Sequence, residues 1–149
     1  KPIPYVDVII NERLLRCRHL VNLIDLSQAI SSLNLSYRVI HFENMTFAEQ
    51  VSSLRFTRVL ISIHGAGLSN IIFLQPGSTV IELMHPLLNA PFYRFLSYYA
   101  SLNYILIKDV KPVSDSCANR RDWSPYLSYN LQANVTTIVE AIQDISFNI

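Results

Sequence analysis

Two glycines, Gly65 and Gly67, close a run of β-branched residues in 59-VLISIHGAGLSNIIFLQPGSTVIEL-83, in a chain that has only 3 Gly among 149 residues. An average chain carries about 7% glycine, so this pair marks a place where a Cβ is unwelcome. A strand that ends in H-G-A-G and turns into a helix leaves the first helical N–H groups without intrahelical acceptors. Such groups can hold phosphate oxygens, and glycine lets the backbone reach the ligand closely. A tight strand-to-helix turn with no ligand would use the same residues, and the sequence leaves both readings open. As a dinucleotide fingerprint the stretch is weak, because Asn70 stands where Gly or Ala belongs.

Other residues near this loop have chemistry to offer. Glu82 ends the next β-rich run, where a carboxylate can accept hydrogen bonds from ribose hydroxyls or pair with an arginine. His64 can give a ring N–H to a diphosphate oxygen or a sugar hydroxyl, or brace the loop. Arg13, Arg16 and Arg18 lie within six positions after the first β-rich run. Their forked donors match diphosphate oxygens bidentately, although a solvated basic loop is the plainer account. His19, His41 and His85 stand apart and read as solvated or core-edge residues. Asn22 with Asp25 three residues later reads as a helix-capping pair.

The elements that must position these groups alternate. Tyr5 to Ile10, Tyr37 to Phe42, Val59 to Ile63, Thr79 to Leu83 and Asn103 to Ile107 read as strands. Between them, helices are expected over Asn22 to Leu33, over Thr46 to Leu54 behind the capping box T-F-A-E, over Leu68 to Phe73, and over Pro91 to Leu102. Lys108 to Tyr129 reads as a long loop, and Val135 to Ile145 as a closing amphipathic helix. Alternation of this kind predicts an α/β fold, a Rossmann-like parallel sheet with helices on both faces, whose ligands bind at the carboxyl ends of the strands.

The bulk composition sets bounds. At 149 residues the chain fits one domain. Only 15% of residues are charged, against a typical ~25%, with a mean hydropathy of +0.26, so some apolar surface is expected to meet a partner or a further domain. A net charge of +1 excludes a broad footprint for nucleic acid. No apolar run reaches the ~18 residues of a membrane span, and the start at KPIPYVDV reads as a cut from something longer. Cys17 and Cys117 are either one disulfide or two thiols. Asn34, Asn44 and Asn134 are N-glycosylation acceptors in form, which leans towards a secretory compartment.

The block H-G-A-G-L-S-N followed by F-L-Q-P-G and V-I-E-L, preceded by Arg18, Asn22, Asp25 and Leu26 and by Phe47-Ala48-Glu49-Gln50, resembles the family 61 glycosyltransferases. That family includes protein O-GlcNAc transferases, the O-mannose N-acetylglucosaminyltransferase and plant xylosyl- and arabinosyltransferases. The resemblance implies an inverting enzyme of two Rossmann-like halves (GT-B type) that uses a UDP-sugar of the UDP-GlcNAc or UDP-xylose class and works in the lumen of the Golgi or endoplasmic reticulum. This chain would be the C-terminal donor-binding half, paired with an N-terminal half that binds a glycan or glycoprotein acceptor. His64, Gly65, Ala66, Gly67 and Leu68 match the diphosphate loop, with Asn70 in the same block. Arg18 matches the basic residue before the N-x-x-[DE]-L helix, and Glu82 the acidic residue of the V-I-E-L strand. A second family arginine aligns with Leu14, between Arg13 and Arg16. No D-x-D is present, which agrees with catalysis without a metal or other cofactor. A nicotinamide-dependent oxidoreductase domain and a non-catalytic nucleotide-sugar-binding module are the alternatives.

Overall fold

The computed structural model describes residues 5–14, 17–115 and 123–145. Five strands form one parallel sheet: β1 (Val6–Asn11), β2 (Tyr37–Ile40), β3 (Thr57–Ile63), β4 (Thr79–Leu83) and β5 (Asn103–Ile107), in the order β2-β1-β3-β4-β5. Ile10 pairs with Val39 on one side and Ile61 on the other, and Ile61 pairs in turn with Ile81. The strands are nearly continuous apolar runs because helices cover both faces. Four α-helices supply most of that cover: α1 (Leu23–Ser32), α2 (Phe47–Arg55), α3 (Phe92–Tyr99) and α4 (Val135–Gln143).

The sheet's alternation sorts its side chains into two cores. Val8, Ile10, Val59, Ile61, Ile81 and Leu83 point to the layer of α1 and α4, where Leu26, Ile30, Ile138 and Ile142 are fully buried. Ile9, Leu60 and Val80 point the other way, against Leu54 of α2, Leu68 and Ile71 of a 3₁₀ helix spanning Ala66–Phe73, and Leu96 of α3. Each fully buried Leu or Ile contributes roughly 1.5–3 kcal/mol of transfer free energy, so these two layers fix the strand edge on which the loops sit. Helix α2 begins as the sequence indicates. Thr46 Oγ1 accepts from Glu49 N at 3.3 Å, and Thr46 N donates to Glu49 Oε2 at 2.7 Å.

The expected Rossmann-like α/β architecture is therefore present, with three local departures. β2 ends at Ile40, and Phe42–Asn44 forms a single 3₁₀ turn that buries Phe42. The helix after the glycines begins at Ala66, directly beyond Gly65. The segment read as a long loop instead contains β6 (Val110–Asp115), a 3₁₀ turn at Pro125–Leu127 and β7 (Tyr129–Ala133); β6 and β7 pair antiparallel with a bulge near Pro112. Proline and polar residues hide a short strand pair whose outer face is solvated.

Strand β7 is not isolated. Leu131 N donates to His19 O and Val21 N to Leu131 O, both at 2.9 Å, which joins β7 to the chain just before α1. Asn22 belongs to the same seam. Its Nδ2 donates to Ala133 O at 2.8 Å and its Oδ1 accepts from Ala133 N at 2.9 Å. The amide makes no cap bond to α1, so the expected Asn22–Asp25 capping pair gives way to a link between segments far apart in sequence.

Candidate functional site

The strand order reverses direction between β1 and β3, because the chain runs from β1 outward to β2 and then returns across β1 to β3. In open α/β sheets the crevice lies at this switch, beyond the carboxyl ends of the strands. The two segments that leave those ends are the arginine loop after β1 and the loop at residues 64–66 after β3.

Gly65 and Gly67 are small for different reasons. Gly65 is in extended backbone, with φ 166 and ψ 174, which any residue can adopt. A Cβ there would stand 3.0 Å from Arg13 Nη1 and 3.2 Å from Arg18 Nη1. The glycine makes room for two guanidinium groups that converge over the backbone. At Gly67 a Cβ would stand 3.1 Å from both Asn11 Nδ2 and the Phe42 ring, so that glycine lets the 3₁₀ helix lie close against the end of β1 and the turn after β2.

Arg18 is held firmly. Its φ of 62 lies in the left-handed region, an uncommon conformation for a side chain of this size that persists only where surroundings enforce it. The residue is buried, and its Nε donates to Leu127 O at 2.6 Å. The next residue is anchored as well, with His19 N donating to Asn130 Oδ1 at 2.9 Å. Glu12 closes the base of the loop, accepting from Leu20 N at 3.2 Å and meeting His19 Nδ1 at 3.0 Å. Burial pushes the Glu12 carboxyl above its ordinary value, partly offset by these hydrogen bonds. Arg13 Nε, shut off from solvent, lies 3.7 Å from Glu43 Oε1 and has no hydrogen-bond partner among the described residues. That N–H faces the Glu43 carboxylate beyond hydrogen-bond length, while the Nη1 end of the side chain approaches Gly65. Arg16 lies outside the described residues. Cys17 is buried and disulfide-bonded, while Cys117 lies outside them.

A cavity of about 350 Å³ opens at this point, within the size range of small-molecule sites. Arg13, Arg18, His64, Gly65 and Ala66 line it together with the aromatic residues Phe92, Tyr93 and Trp123. Trp123 and Phe92 meet edge to face with centroids 6.0 Å apart, and both are more than half exposed. The Tyr93 phenol is pushed up by burial and by the charge of Glu82, against the opposing effects of its hydrogen bond with Ser69 and of Arg18. A second cavity of about 150 Å³ adjoins the first through Arg13, Gly65 and Ala66, and reaches Asn11 and Ser62 at the ends of β1 and β3. Asn11 Nδ2 donates to Ser62 Oγ at 3.1 Å.

The structure thus brings Arg13, Arg18, His64, Gly65, Ala66 and Gly67 to these two adjoining cavities. Leu68 and Asn70 are elsewhere. Leu68 is fully buried in the core, and Asn70 Nδ2 donates to Gln50 Oε1 at 2.7 Å, tying the 3₁₀ helix to α2. Glu82 has no exposed surface. His64 Nδ1 meets its Oε1, and Tyr104 Oη donates to its Oε2. The expected ribose contact at Glu82 is corrected to a role behind the pocket, and so is the alternative of an arginine partner. A nicotinamide site that needs this carboxylate at its surface loses its acidic residue in the same way.

Phe92, Tyr93, Trp123 and Leu127 escape a reading of the glycine block. One signal pointed to two of them: α3 opens with an aromatic pair at the carboxyl end of β4, the same sheet edge as the glycines. Trp123 and Leu127 carried no such signal, since they reach the site through the seam between β7 and the arginine loop. Of the candidate glycosylation residues, Asn34 and Asn44 are exposed. Asn134 is exposed too, but it caps α4, its Oδ1 accepting from Thr136 N at 3.1 Å and its Nδ2 donating to Asp109 Oδ2 at 2.8 Å. Among the described residues no helix is long and apolar enough to cross a membrane.

Comparison with known proteins places this site in context. The family model described as Glycosyltransferase 61 matches residues 1–81. Among curated proteins, the chain is 30% identical over 63 residues to Beta-1,2-xylosyltransferase RCN11 of Oryza sativa subsp. japonica. That match takes in 42% of this chain and 12% of the relative's length.

Proposed function

This chain belongs to glycosyltransferase family 61, and from that premise we propose that it is the donor-binding domain, residues 1–149, of an inverting glycosyltransferase that uses a UDP-sugar. The observation that carries the reading is the convergence of Arg13 Nη1 and Arg18 Nη1 over Gly65, at the point where the 3₁₀ helix begins. As the bond from the anomeric carbon to the diphosphate oxygen breaks, negative charge gathers on the departing diphosphate. Fixed guanidinium groups and the amides at the helix start meet that charge without reorganising. With two cations already in place, side chains offset much of the diphosphate charge, which favours a mechanism without a metal.

The relative's name makes a xylosyl donor one candidate, beside the N-acetylglucosaminyl class. Transfer is to a hydroxyl of a glycan or glycoprotein held by a second domain of the same enzyme, in the lumen of the secretory pathway. Calorimetric titration of the protein with UDP, UDP-xylose, UDP-N-acetylglucosamine and ADP tests the reading. UDP and one UDP-sugar should bind, and Arg18→Ala should weaken UDP about 10- to 100-fold, the cost of a lost charge-assisted contact. No heat with any of the four nucleotides would refute it.

A further inference from the structure

We propose that Glu82 and Tyr104 are positioning residues for His64: they hold a proton on its Nδ1 and aim Nε2 at the pocket, so that the doubly protonated ring donates to an anionic diphosphate oxygen. The proposal rests on the reading of the larger cavity as a diphosphate site.

Glu82 lies in β4, beside Ser62 of β3 and Leu106 of β5 in register, and is wholly enclosed. A carboxylate in such a place costs several kcal/mol of desolvation, and apolar replacements of similar volume are often no less stable. Packing therefore gives no reason for it. Its two oxygens are instead divided between two donors from different directions, Oε1 to His64 Nδ1 and Oε2 to Tyr104 Oη. Burial and the neighbouring carboxylate push the Tyr104 phenol up, so that hydroxyl keeps its proton and donates. An ionised carboxylate only accepts, which makes His64 Nδ1 the donor on the other side.

The ring plane is fixed as well. The His64 imidazole packs on Tyr93 at 5.3 Å and near Phe92 at 6.4 Å between centroids, and the residue is buried except where it lines the cavity. With Nδ1 committed to Glu82, Nε2 is the nitrogen left for a ligand. Arg13 and Arg18 line the same cavity and oppose a further cation, so a doubly protonated ring is proposed for the ligand-bound state alone, where the carboxylate behind and the diphosphate in front together carry more charge than the two guanidinium groups offset. The Nε2–H stays on His64 while the bond from the sugar to the diphosphate breaks. The residue supplies a hydrogen bond to the leaving group and transfers no proton.

Nitrogen-15 NMR of the histidine rings reads this arrangement directly. In the free protein His64 Nδ1 should carry a proton, and on saturation with UDP both ring nitrogens should show the protonated signature. Glu82→Gln and Tyr104→Phe should each weaken UDP, Glu82→Gln by about tenfold for the lost charge-assisted support. In a His64→Ala background Glu82→Gln should change UDP affinity no further, because Glu82 acts through the ring. An unprotonated Nδ1 in the free protein, or a ring that keeps one proton with UDP bound, would overturn the proposal; the first of these is read on the unaltered protein whatever the variants do. If UDP fails to bind the unaltered protein, the donor-site reading falls; if it binds with His64 unaffected, only the positioning role falls.

Discussion

Replacing Gly65 with alanine separates the proposed ligand role of this loop from its structural role. The backbone at Gly65 is extended, so alanine costs no strain, and removing glycine from the unfolded ensemble favours folding by about 0.4–1 kcal/mol. The new methyl group would stand 3.0 Å from Arg13 Nη1 and 3.2 Å from Arg18 Nη1, inside ordinary contact distance. What must give is the far end of two side chains. Arg18 has little freedom to give, since Nε is tied to Leu127 O at 2.6 Å, so Arg13 moves or both guanidinium planes tilt. A hydrogen bond to a charged partner contributes about 1.5–3 kcal/mol, and loss of one such bond to diphosphate weakens UDP by about 10- to 150-fold. Calorimetry with UDP at fixed ionic strength, beside thermal unfolding without ligand, measures both quantities. Weakened binding with an unchanged or raised melting temperature is expected. Equal UDP affinity in Gly65→Ala would refute the convergence of the two arginines on the ligand, and a fall in stability would refute the claim that this glycine serves the side chains and not the turn.

Gly67→Val should differ in stability: its Cβ meets the Phe42 ring and Asn11 at 3.1 Å, so overpacking costs about 1–3 kcal/mol, and thermal unfolding should show a lower melting temperature together with loss of the stabilisation expected from UDP in the parent. His85 sets a pH dependence. Burial, and secondarily Lys108, hold its folded pKa below the ordinary 6.5, so its contribution is full above that value and lost as pH falls through 6.5 towards the folded value, where the unfolded chain takes up a proton that the folded chain refuses. Denaturant unfolding between about pH 7.5 and 5 should show that loss, and His85→Asn, which retains an acceptor for the Leu87 N–H that now bonds His85 Nδ1 at 3.1 Å, should flatten it.

The elements that local pattern governs were legible in the sequence. Strands β4 and β5 fall where alternation of apolar segments places them, and the T-F-A-E capping box forms as its residue types require. Their signals lie within a few consecutive residues, and tertiary contacts only reinforce them. β6 and β7 were not legible, because their stability comes from partners distant in sequence: Leu131 is ordered by His19 and Val21, and Ala133 by Asn22. Nothing within residues 108–133 announces those contacts. Glu82 illustrates the same limit for the site. An acidic residue at a strand end invites a ligand role, but which way the side chain points depends on pleat and register, and here Tyr104 of the neighbouring strand and His64 draw it inward.

On the proposed donor-site reading, the distribution of the site along the chain also separates two tasks. The residues proposed to meet the diphosphate, Arg13, Arg18 and His64 with the amides at Ala66 and Gly67, all lie within residues 1–81, the span matched by the family model. The aromatic wall of Phe92, Tyr93 and Trp123 lies beyond it. A diphosphate presents the same oxygens whatever sugar it bears, so the groups that hold it need no adjustment between donors. The face of a sugar differs from donor to donor and is met through shape and apolar contact, which aromatic side chains supply. The two parts are nonetheless coupled mechanically. Leu127, four residues after Trp123, carries the carbonyl that holds Arg18 Nε, so a shift of the segment that bears Trp123 moves the guanidinium proposed to grip the phosphate. Substitutions at the wall chosen to alter the donor are therefore expected to change diphosphate affinity as well.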